Sequence, residues 1–378
     1  GAGAATFGPN QATLDLQDAT GLSEEGSSVN MSRIESTLGS ANIANSAELA
    51  ETYSINDTQA AGTNVNLTFL ESAVSGEDDS TNVELSRAQL NNLTIQEDAR
   101  EPGNIDEGVE TINMESTGAT NVVNLLTAED LQTLDLSGDQ ALTIGNTATT
   151  VRAGTTTSEA TQFVAGLANV AGSLTAINAA AMTGDLTLHL GPELNAGLDD
   201  TSGLQAEVEV TGGEGDDSFV LTNGSVVGGA ANNTDTIDGG EGNDTVQVVG
   251  NATINAAANA NVTGVQSLEL RSGHDDAGVS PGGLGVPEVA DVVNINANAF
   301  DGLESIFVRN EGQGSAVVGA APTGTSVSKA EGMTINLTNL TEEQAQAITL
   351  AHGTTGNSDI ANNIVNASYA TDTATNAA

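Results

Sequence analysis

Two nine-residue stretches, Gly212-Gly-Glu-Gly-Asp-Asp-Ser-Phe-Val220 and Gly239-Gly-Glu-Gly-Asn-Asp-Thr-Val-Gln247, share the pattern G-G-x-G-x-D-x-apolar-x and begin 27 residues apart. The glycines permit the sharp backbone bends of a turn, and the aspartate closes that turn. The apolar eighth residue, Phe219 or Val246, then begins a short strand with its side chain in the core. Repeated turn-and-strand units of this kind predict a parallel β-roll, a form of β-solenoid.

The segment between the two stretches contains degenerate copies of the same unit. In frame, residues 230–238 keep Asp235 and the apolar Ile237, whereas residues 221–229 keep only Gly224. The 27-residue offset therefore equals three units of nine, and the repeat continues through the whole segment.

The stacking of these turns follows from the number of units in a coil. In a β-roll with two units per coil, turns that lie 18 residues apart stack on each other. We therefore expect Asp217 to stack on Asp235, and Asp244 to stack on the loop that contains Val226.

The turns supply the oxygen ligands that calcium prefers, namely carboxylates and backbone carbonyls, of which it binds about six to eight. Asp217 and Asp235 are the strongest candidates for one shared site, and a site at Asp244 should be weaker because its expected neighbour lacks a carboxylate. The predicted metal-site residues are the glycines and aspartates of these units: Gly212, Gly213, Gly215, Asp217, Asp235, Gly239, Gly240, Gly242 and Asp244. The alternative is a set of glycine-rich turns without metal.

The rest of the chain shows short runs in which apolar residues alternate with Asn, Thr, Asp or Glu, as in half-buried strands. Examples are 12–16, 65–69, 82–85 and 92–96. We expect a mostly-β fold, a β-solenoid or parallel β-roll with a few short helices.

A looser repeat recurs at 108–114, 131–136, 264–270 and 302–308. Counted from Val109, Leu131, Val265 and Leu303, its first residue is apolar, its second is polar and its third is Thr or Ser. Its fourth and sixth residues are again apolar. Those two positions face one side of a strand, which suits the inside of a solenoid coil. Unrelated strands of a β-sandwich are the alternative.

Three segments have the residues of short helices. A capping box at Thr341–Gln344 precedes Ala and Ile residues, with Gly353 positioned to end the turn. Residues 127–130 and 158–172 are the other two candidates.

Composition excludes several classes of function. The 378 residues include 51 acidic and 7 basic side chains, for a formal net charge of −44, so no surface can neutralise a nucleic-acid backbone. The absence of cysteine excludes disulfides and thiolate chemistry. No apolar run approaches the roughly 18 residues of a membrane span. The chain starts at Gly1 without a charged-then-apolar leader, which indicates a processed or excerpted sequence.

Catalytic residues are not expected. The three histidines are His189, His274 and His352, which are far apart, and His189 lies in a strand pattern. No serine lies in a nucleophile-elbow motif, and no glycine-rich loop carries a phosphate-binding lysine. Acidic groups at 77–79, 97–98, 199–200 and 275–276 are expected to be solvated turns, with additional calcium ligands as the alternative.

The two nonapeptides resemble those of the repeats-in-toxin (RTX) calcium-binding family of secreted bacterial proteins. The flanks, rich in Thr, Ala, Asn and Gly, resemble RTX-type surface-layer proteins more than toxins or proteases. The resemblance implies type I export and a calcium-ordered cell-surface lattice. Its motif-level part covers residues 212–247 only.

From these observations we expect a secreted, extracellular or cell-surface structural protein that binds Ca²⁺ and assembles with itself. The alternatives are a calcium-stabilised adhesin that binds a surface or cell-surface polysaccharide, and a secreted enzyme supported by a calcium roll. The expected regions are a β-rich N-terminal part (1–105), an irregular solenoid (106–200), a calcium β-roll (201–280) and C-terminal coils with a short helix and a frayed tail (281–378).

Overall fold

The computed structural model describes most of the chain in segments. These are residues 4–7, 13–32, 40–58, 63–76, 78–97, 108–128, 130–151, 158–164, 166–169, 174–190, 208–221, 225–227, 235–249, 252–254, 261–271, 292–310, 334–352 and 364–369.

Strands dominate the described residues. In the first half of the chain they are β1 (Ala4–Phe7), β2 (Thr13–Asp15), β3 (Ser28–Ser32), β4 (Ser40–Ser46), β5 (Thr52–Asn56), β6 (Thr63–Phe69), β7 (Ser80–Ser86), β8 (Gln89–Glu97), β9 (Thr111–Thr117), β10 (Asn121–Ala128), β11 (Thr133–Gly138), β12 (Leu142–Ile144), β13 (Asn146–Val151), β14 (Ser158–Val164), β15 (Leu167–Asn169), β16 (Ala176–Met182) and β17 (Leu186–Leu190). In the second half they are β18 (Glu209–Thr211), β19 (Ser218–Leu221), β20 (Ser225–Val227), β21 (Thr236–Asp238), β22 (Asp244–Val249), β23 (Ala252–Ile254), β24 (Val262–Thr263), β25 (Val265–Arg271), β26 (Val292–Asn296), β27 (Ser305–Asn310), β28 (Thr334–Leu340), β29 (Ile348–His352) and β30 (Ile364–Tyr369).

Two long parallel sheets form the body of the molecule. Sheet 1 contains, in spatial order, β1, β3, β5, β7, β9, β11, β16, β18, β21 and β24. Sheet 2 contains β2, β4, β6, β8, β10, β12, β17, β19, β22, β25, β27 and β29, with β15 also paired to β10. From β1 to β12, and again from β16 to β19, successive strands alternate between the two sheets, so each coil of chain adds one strand to each. This is a β-solenoid, as predicted, and the sandwich alternative is wrong.

A third parallel sheet begins in the C-terminal half. Sheet 3 contains β20, β23, β26, β28 and β30. Sheet 1 shrinks over the same coils to the two-residue β24, and then to a single bridge between Val262 and Phe300. In the coil from β28 to β29, helix α1 (Glu342–Gln346) occupies the connection. Along the chain, the solenoid therefore loses the side formed by sheet 1 and gains the side formed by sheet 3.

The core is a column of aliphatic side chains between the sheets. In β6, for example, Val65, Leu67 and Phe69 are fully buried, and the residues between them are half-buried. Tyr53 of the facing sheet meets Phe69 edge-to-face, with ring centroids 5.9 Å apart. Because each coil adds only a few such residues, the core needs few aromatics.

The looser repeat occupies equivalent positions on both sheets. Its copies form β9 and β11 in sheet 1, and β25 and β27 in sheet 2. The residues at the fourth and sixth positions are all buried, as predicted: Ile112, Met114, Leu134, Leu136, Leu268, Leu270, Ile306 and Val308.

Amide ladders explain the high asparagine content of the outward-facing positions. Asn66 Nδ2 donates to Asn42 Oδ1 at 2.6 Å on sheet 2, and Asn113 Nδ2 donates to Asn82 Oδ1 at 3.0 Å on sheet 1. Each pair joins neighbouring coils of a parallel sheet, where identical side chains lie above one another.

Of the three predicted helices, one is present. Thr341 caps α1, and Gln344 completes the capping box, but the helix ends at Gln346 because β29 starts at Ile348. Residues 127 and 128 belong to β10, and most of 158–169 forms β14 and β15, so those two helix predictions are wrong. Strand pairing overrides local helix propensity there: β10 and β15 pair within sheet 2, and β14 pairs with β13. Among the described residues, no helix has the length and apolar character needed to span a bilayer.

Candidate functional site

The two nonapeptide turns stack directly on each other in consecutive coils. Their strands pair in register, with Ser218 beside Thr245 and Phe219 beside Val246. Backbone hydrogen bonds continue this register through the turn, since Glu241 N donates to Gly213 O at 2.9 Å and Thr245 N to Asp217 O at 2.9 Å. The Asp217 turn therefore lies under the Asp244 turn.

This register corrects the predicted 18-residue stacking. Asp217 does not stack on Asp235, and Asp244 does not stack on the loop of Val226. The stacked turns lie 27 residues apart, and between them the chain forms β20 of sheet 3 and β21 of sheet 1 before it returns to sheet 2 at β22. Three units of nine therefore complete one coil, where two were expected.

Asp235 lies on a different side of the coil from the two stacked turns. It immediately precedes β21 of sheet 1, whereas Asp217 immediately precedes β19 of sheet 2. Its Oδ1 accepts a hydrogen bond from Val208 N at 2.9 Å. The structure thus brings Asp217 and Asp244 together and leaves Asp235 apart. The apolar residues of all three units, Phe219, Ile237 and Val246, are buried as predicted.

The glycines of the turns are required by the close approach of consecutive coils. A Cβ on Gly240 would overlap the carbonyl oxygen of Gly213, and a Cβ on Gly242 would overlap that of Gly215. Gly240 and Gly242 also have φ values of +91° and +111°, which L side chains rarely adopt. The sequence pattern therefore has a direct steric cause.

Asp217 is a buried carboxylate with both oxygens hydrogen-bonded. The residue is 1% exposed; Leu186 N donates to its Oδ1 at 2.8 Å, and Gly213 N donates to its Oδ2 at 2.7 Å. Burial raises the pKa of Asp217, and the two amide donors offset part of that rise.

Asp244 has the same burial but one donor fewer. The residue is 0% exposed; Asp217 N donates to its Oδ1 at 2.8 Å, while Oδ2 has no hydrogen-bond partner. Burial, together with the nearby carboxylates of Asp217 and Asp216, raises the pKa of Asp244 to about 6. A buried carboxylate oxygen without a donor is costly, and a bound cation would remove that cost.

Asp244 Oδ2 lies close to the backbone at Gly239. A Cβ on Gly239 would overlap the carbonyl oxygen of Gly264 and would lie 2.7 Å from Asp244 Oδ2. Two oxygens therefore converge where no side chain can enter. In the next coil Gln266 replaces the aspartate, and its Oε1 accepts from Asp244 N at 2.6 Å. Asp244 is therefore the last of the stacked aspartates.

Side chains alone do not complete a metal site. Within the described residues, no group of three or more His, Asp or Glu side chains is arranged to hold a metal ion. A calcium ion beside Asp244 would need backbone carbonyls and water for most of its shell, which calcium accepts. The feature here that a cation would satisfy is Asp244 Oδ2, a buried carboxylate oxygen without a hydrogen-bond partner. Sequence reasoning ranked this aspartate second, because it assigned the wrong stacking partner.

An exposed ridge of carboxylates borders the stacked turns and was not predicted. Asp216 N donates to Asp185 Oδ1 at 3.0 Å, and Asn243 N donates to Asp216 Oδ1 at 2.9 Å. Glu214 and Glu241 are exposed on the same turns. The signal in the sequence is the residue before each of the two stacked aspartates, Asp216 before Asp217 and Asn243 before Asp244.

The sequence also led to predictions for the histidines and for four acidic groups outside the nonapeptides. His189 is a buried strand residue of β17, 3% exposed, as predicted. Asp78 is exposed just before β7, as predicted. Glu97 ends β8 and is 5% exposed, so the prediction of a solvated turn is wrong for this residue, which lies in a strand paired to neighbouring coils. Glu77 and Asp98 lie outside the described residues. The acidic groups at 199–200 and 275–276, and His274, lie outside the described residues.

Comparison with known proteins returned no matching family model, no matching curated protein and no matching solved structure. The resemblance to the RTX family therefore depends on the two nonapeptides. The chain forms a β-solenoid in which two turn aspartates, Asp217 and Asp244, are buried one above the other.

Proposed function

We propose that this chain is a secreted, calcium-binding structural protein that assembles with itself into a cell-surface layer or an extracellular filament. The observation that carries the proposal is the buried Asp244 carboxylate, whose Oδ2 has no donor although its other oxygen is hydrogen-bonded. Calcium bound there would link the turns of consecutive coils.

The charge of the chain supports a cation-dependent structure. A formal net charge of −44 produces self-repulsion that destabilises a compact form unless cations bind or screen it. Binding to the folded state alone stabilises it by mass action, by about 2.7 kcal/mol at a calcium concentration of roughly 100 times Kd. Folding would then be favoured after export into a calcium-rich medium.

The absence of a recognisable catalytic group supports a structural role over an enzymatic one in the described part of the chain. The buried titratable residues there are engaged in the solenoid itself: Asp217 and Glu110 accept hydrogen bonds from backbone amides of the neighbouring coil. Calcium bridging between the exposed ridges of two copies, formed by residues such as Asp185 and Asp216, would provide the contact for assembly.

The test is a calcium titration of the purified chain, from chelator to about 10 mM, followed by light scattering and negative-stain microscopy. The proposal predicts ordered sheets or filaments with calcium and a lower melting temperature without it. Asp244→Asn should lose the calcium-dependent rise in melting temperature, whereas Asp139→Asn, which changes an exposed carboxylate on another turn, should keep it. A calcium-stabilised monomer that binds cells or glycans would favour an adhesin and overturn the assembly proposal.

A further inference from the structure

An insertion splits one rung of sheet 2, where a rung means the strand that one coil contributes to a sheet. The strand β12 pairs with the first part of β10, where Leu142 lies beside Asn121, and β15 pairs with the second part, where Leu167 lies beside Leu126. The two short strands thus form one interrupted rung. Between them the chain leaves the sheet and forms β13 and β14, an antiparallel pair that we call the ribbon. All the other described strand pairs are parallel.

Two glycines form the point where the ribbon leaves and re-enters the rung. Gly145 has a φ of +140°, and a Cβ on it would overlap Cγ of His189 on the next rung. A Cβ on Gly166 would overlap the carbonyl oxygen of Ile144. Both amides remain hydrogen-bonded to the solenoid, Gly145 N to Val123 O and Gly166 N to His189 O, each at 2.9 Å. Gly145 and Gly166, which we call the ribbon base, are therefore closely packed against the solenoid.

The ribbon lies in a long, nearly uncharged window of an acidic chain. Residues 140–184 contain one arginine, Arg152, and one glutamate, Glu159, and therefore have no net charge. The acidic residues Asp139 and Asp185 border the window on either side. Two copies that meet at a segment without net charge avoid the mutual repulsion expected of a chain with a formal net charge of −44.

We propose that the ribbon is a docking element for a second copy of this chain, and that it pairs strand-to-strand with the same ribbon of the other copy. Among the described residues β13 and β14 pair only with each other, so each has an edge with free backbone donors and acceptors. Antiparallel pairing of identical edges across a two-fold axis closes a dimer. The composition, rich in Thr with Val and Phe, is typical of strands.

This inference refines the proposed self-assembly by naming a contact that does not use calcium. Calcium would act at the stacked turns and the acidic ridge, whereas the ribbon contact involves backbone edges without net charge. The two contacts can therefore be tested independently in chelator and in calcium.

The experiment measures dimerisation of the full chain in chelator by sedimentation or light scattering, over roughly 1–100 µM protein. In one variant an Asn-Gly turn replaces residues 148–162, which joins Thr147 to its strand partner Phe163 and leaves both glycines in place. A second, milder comparison uses Thr149→Glu and Thr149→Gln, which differ in charge alone.

We expect the parent and Thr149→Gln to dimerise in chelator, and the shortened chain and Thr149→Glu to dimerise at least tenfold more weakly, with unchanged melting temperatures. A parent that stays monomeric over this range, or a shortened chain that dimerises like the parent, overturns the ribbon proposal. Neither result bears on the calcium proposal, which is tested by the calcium titration. Conversely, ribbon-dependent dimers without any calcium response would support the ribbon and overturn the calcium proposal.

Discussion

The backbone N–H of Asp217 donates to Oδ1 of Asp244 at 2.8 Å, across one full coil of the solenoid. The same relation recurs on either side, since Leu186 N donates to Asp217 Oδ1 and Asp244 N to Gln266 Oε1. A side-chain acceptor of each coil thus binds the backbone of the preceding coil. These acids are buried because they are part of the coil-to-coil hydrogen bonding.

Asp217→Asn should destabilise the protein. Both carboxylate oxygens accept amide N–H groups, from Leu186 and Gly213. An Asn side chain has one acceptor and would place an NH₂ group against one of these donors, at a cost of about 1–3 kcal/mol. Chemical denaturation in chelator measures this directly. Unchanged stability would mean that the two hydrogen bonds do not form in solution.

Asp244→Asn should have the opposite effect in chelator. Its Oδ1 would still accept from Asp217 N, and the unpartnered, charged Oδ2 would be replaced by a neutral NH₂ group. We expect equal or higher stability than the parent without calcium, and loss of the gain that calcium gives. A variant that is strongly destabilised in chelator would contradict the geometry described for Asp244.

The pH dependence of the chelated protein should depend on Asp244. Its pKa in the folded state is about 6, above the usual 3.8, so the folded state binds this proton more tightly than the unfolded state. Its contribution to stability is therefore favourable at low pH and is lost as pH rises from about 4 to about 6. The stability of Asp244→Asn relative to the parent should rise over this range. Thermal melts from pH 4 to pH 7.5 test this, with Asp139→Asn as the exposed control.

Gly145→Ala should destabilise the protein more than Gly302→Ala. Both glycines have positive φ values, +140° and +94°, so both substitutions add backbone strain. At Gly145 the new Cβ would also overlap His189, whereas nothing lies within 4 Å of the corresponding position at Gly302. We expect about 1 kcal/mol at Gly302 and at least 1 kcal/mol more at Gly145. Equal losses would argue against a packed ribbon base.

Asn121→Ala should cost about 2–4 kcal/mol, because it leaves several buried polar groups unpaired. The Asn121 Oδ1 accepts from Ala88 N at 2.7 Å, and its Nδ2 donates to Leu85 O, Ser116 Oγ and Thr117 O. The corner residue therefore ties two coils together. Denaturation of this variant against Asn91→Ala, which removes only part-buried amide contacts to Asn64 and Asn92, measures the difference.

Much of the fold could be predicted from the sequence because period-two alternation reports directly on which side chains face the core. Val65 and Leu67 alternate with asparagine, and both are buried. The positions of strands in sheets 1 and 2 could not be predicted, since the repeat at 108–114 and the repeat at 264–270 have the same pattern but lie on different sheets. That choice depends on the lengths of the connections between them.

The candidate site was predicted in composition but not in arrangement. The turn aspartates and the buried Phe219 followed from the nonapeptide pattern. Their partners depend on coil length, and a motif of nine residues fits both an 18-residue and a 27-residue coil. The pairing of β19 with β22 selects the 27-residue coil, and the third side that begins with β20 has no distinctive sequence signal. The split rung at Gly145 and Gly166 was missed for a similar reason: only three-dimensional packing reveals it.

The most direct test of the account is isothermal titration of calcium into the chelated parent and into Asp244→Asn, with melting temperatures recorded at each calcium concentration. The account predicts saturable binding to the parent, a melting temperature that rises with calcium, and loss of both in Asp244→Asn, which should fold at least as stably as the parent in chelator. Equal calcium binding and equal stabilisation in the parent and the variant would contradict it.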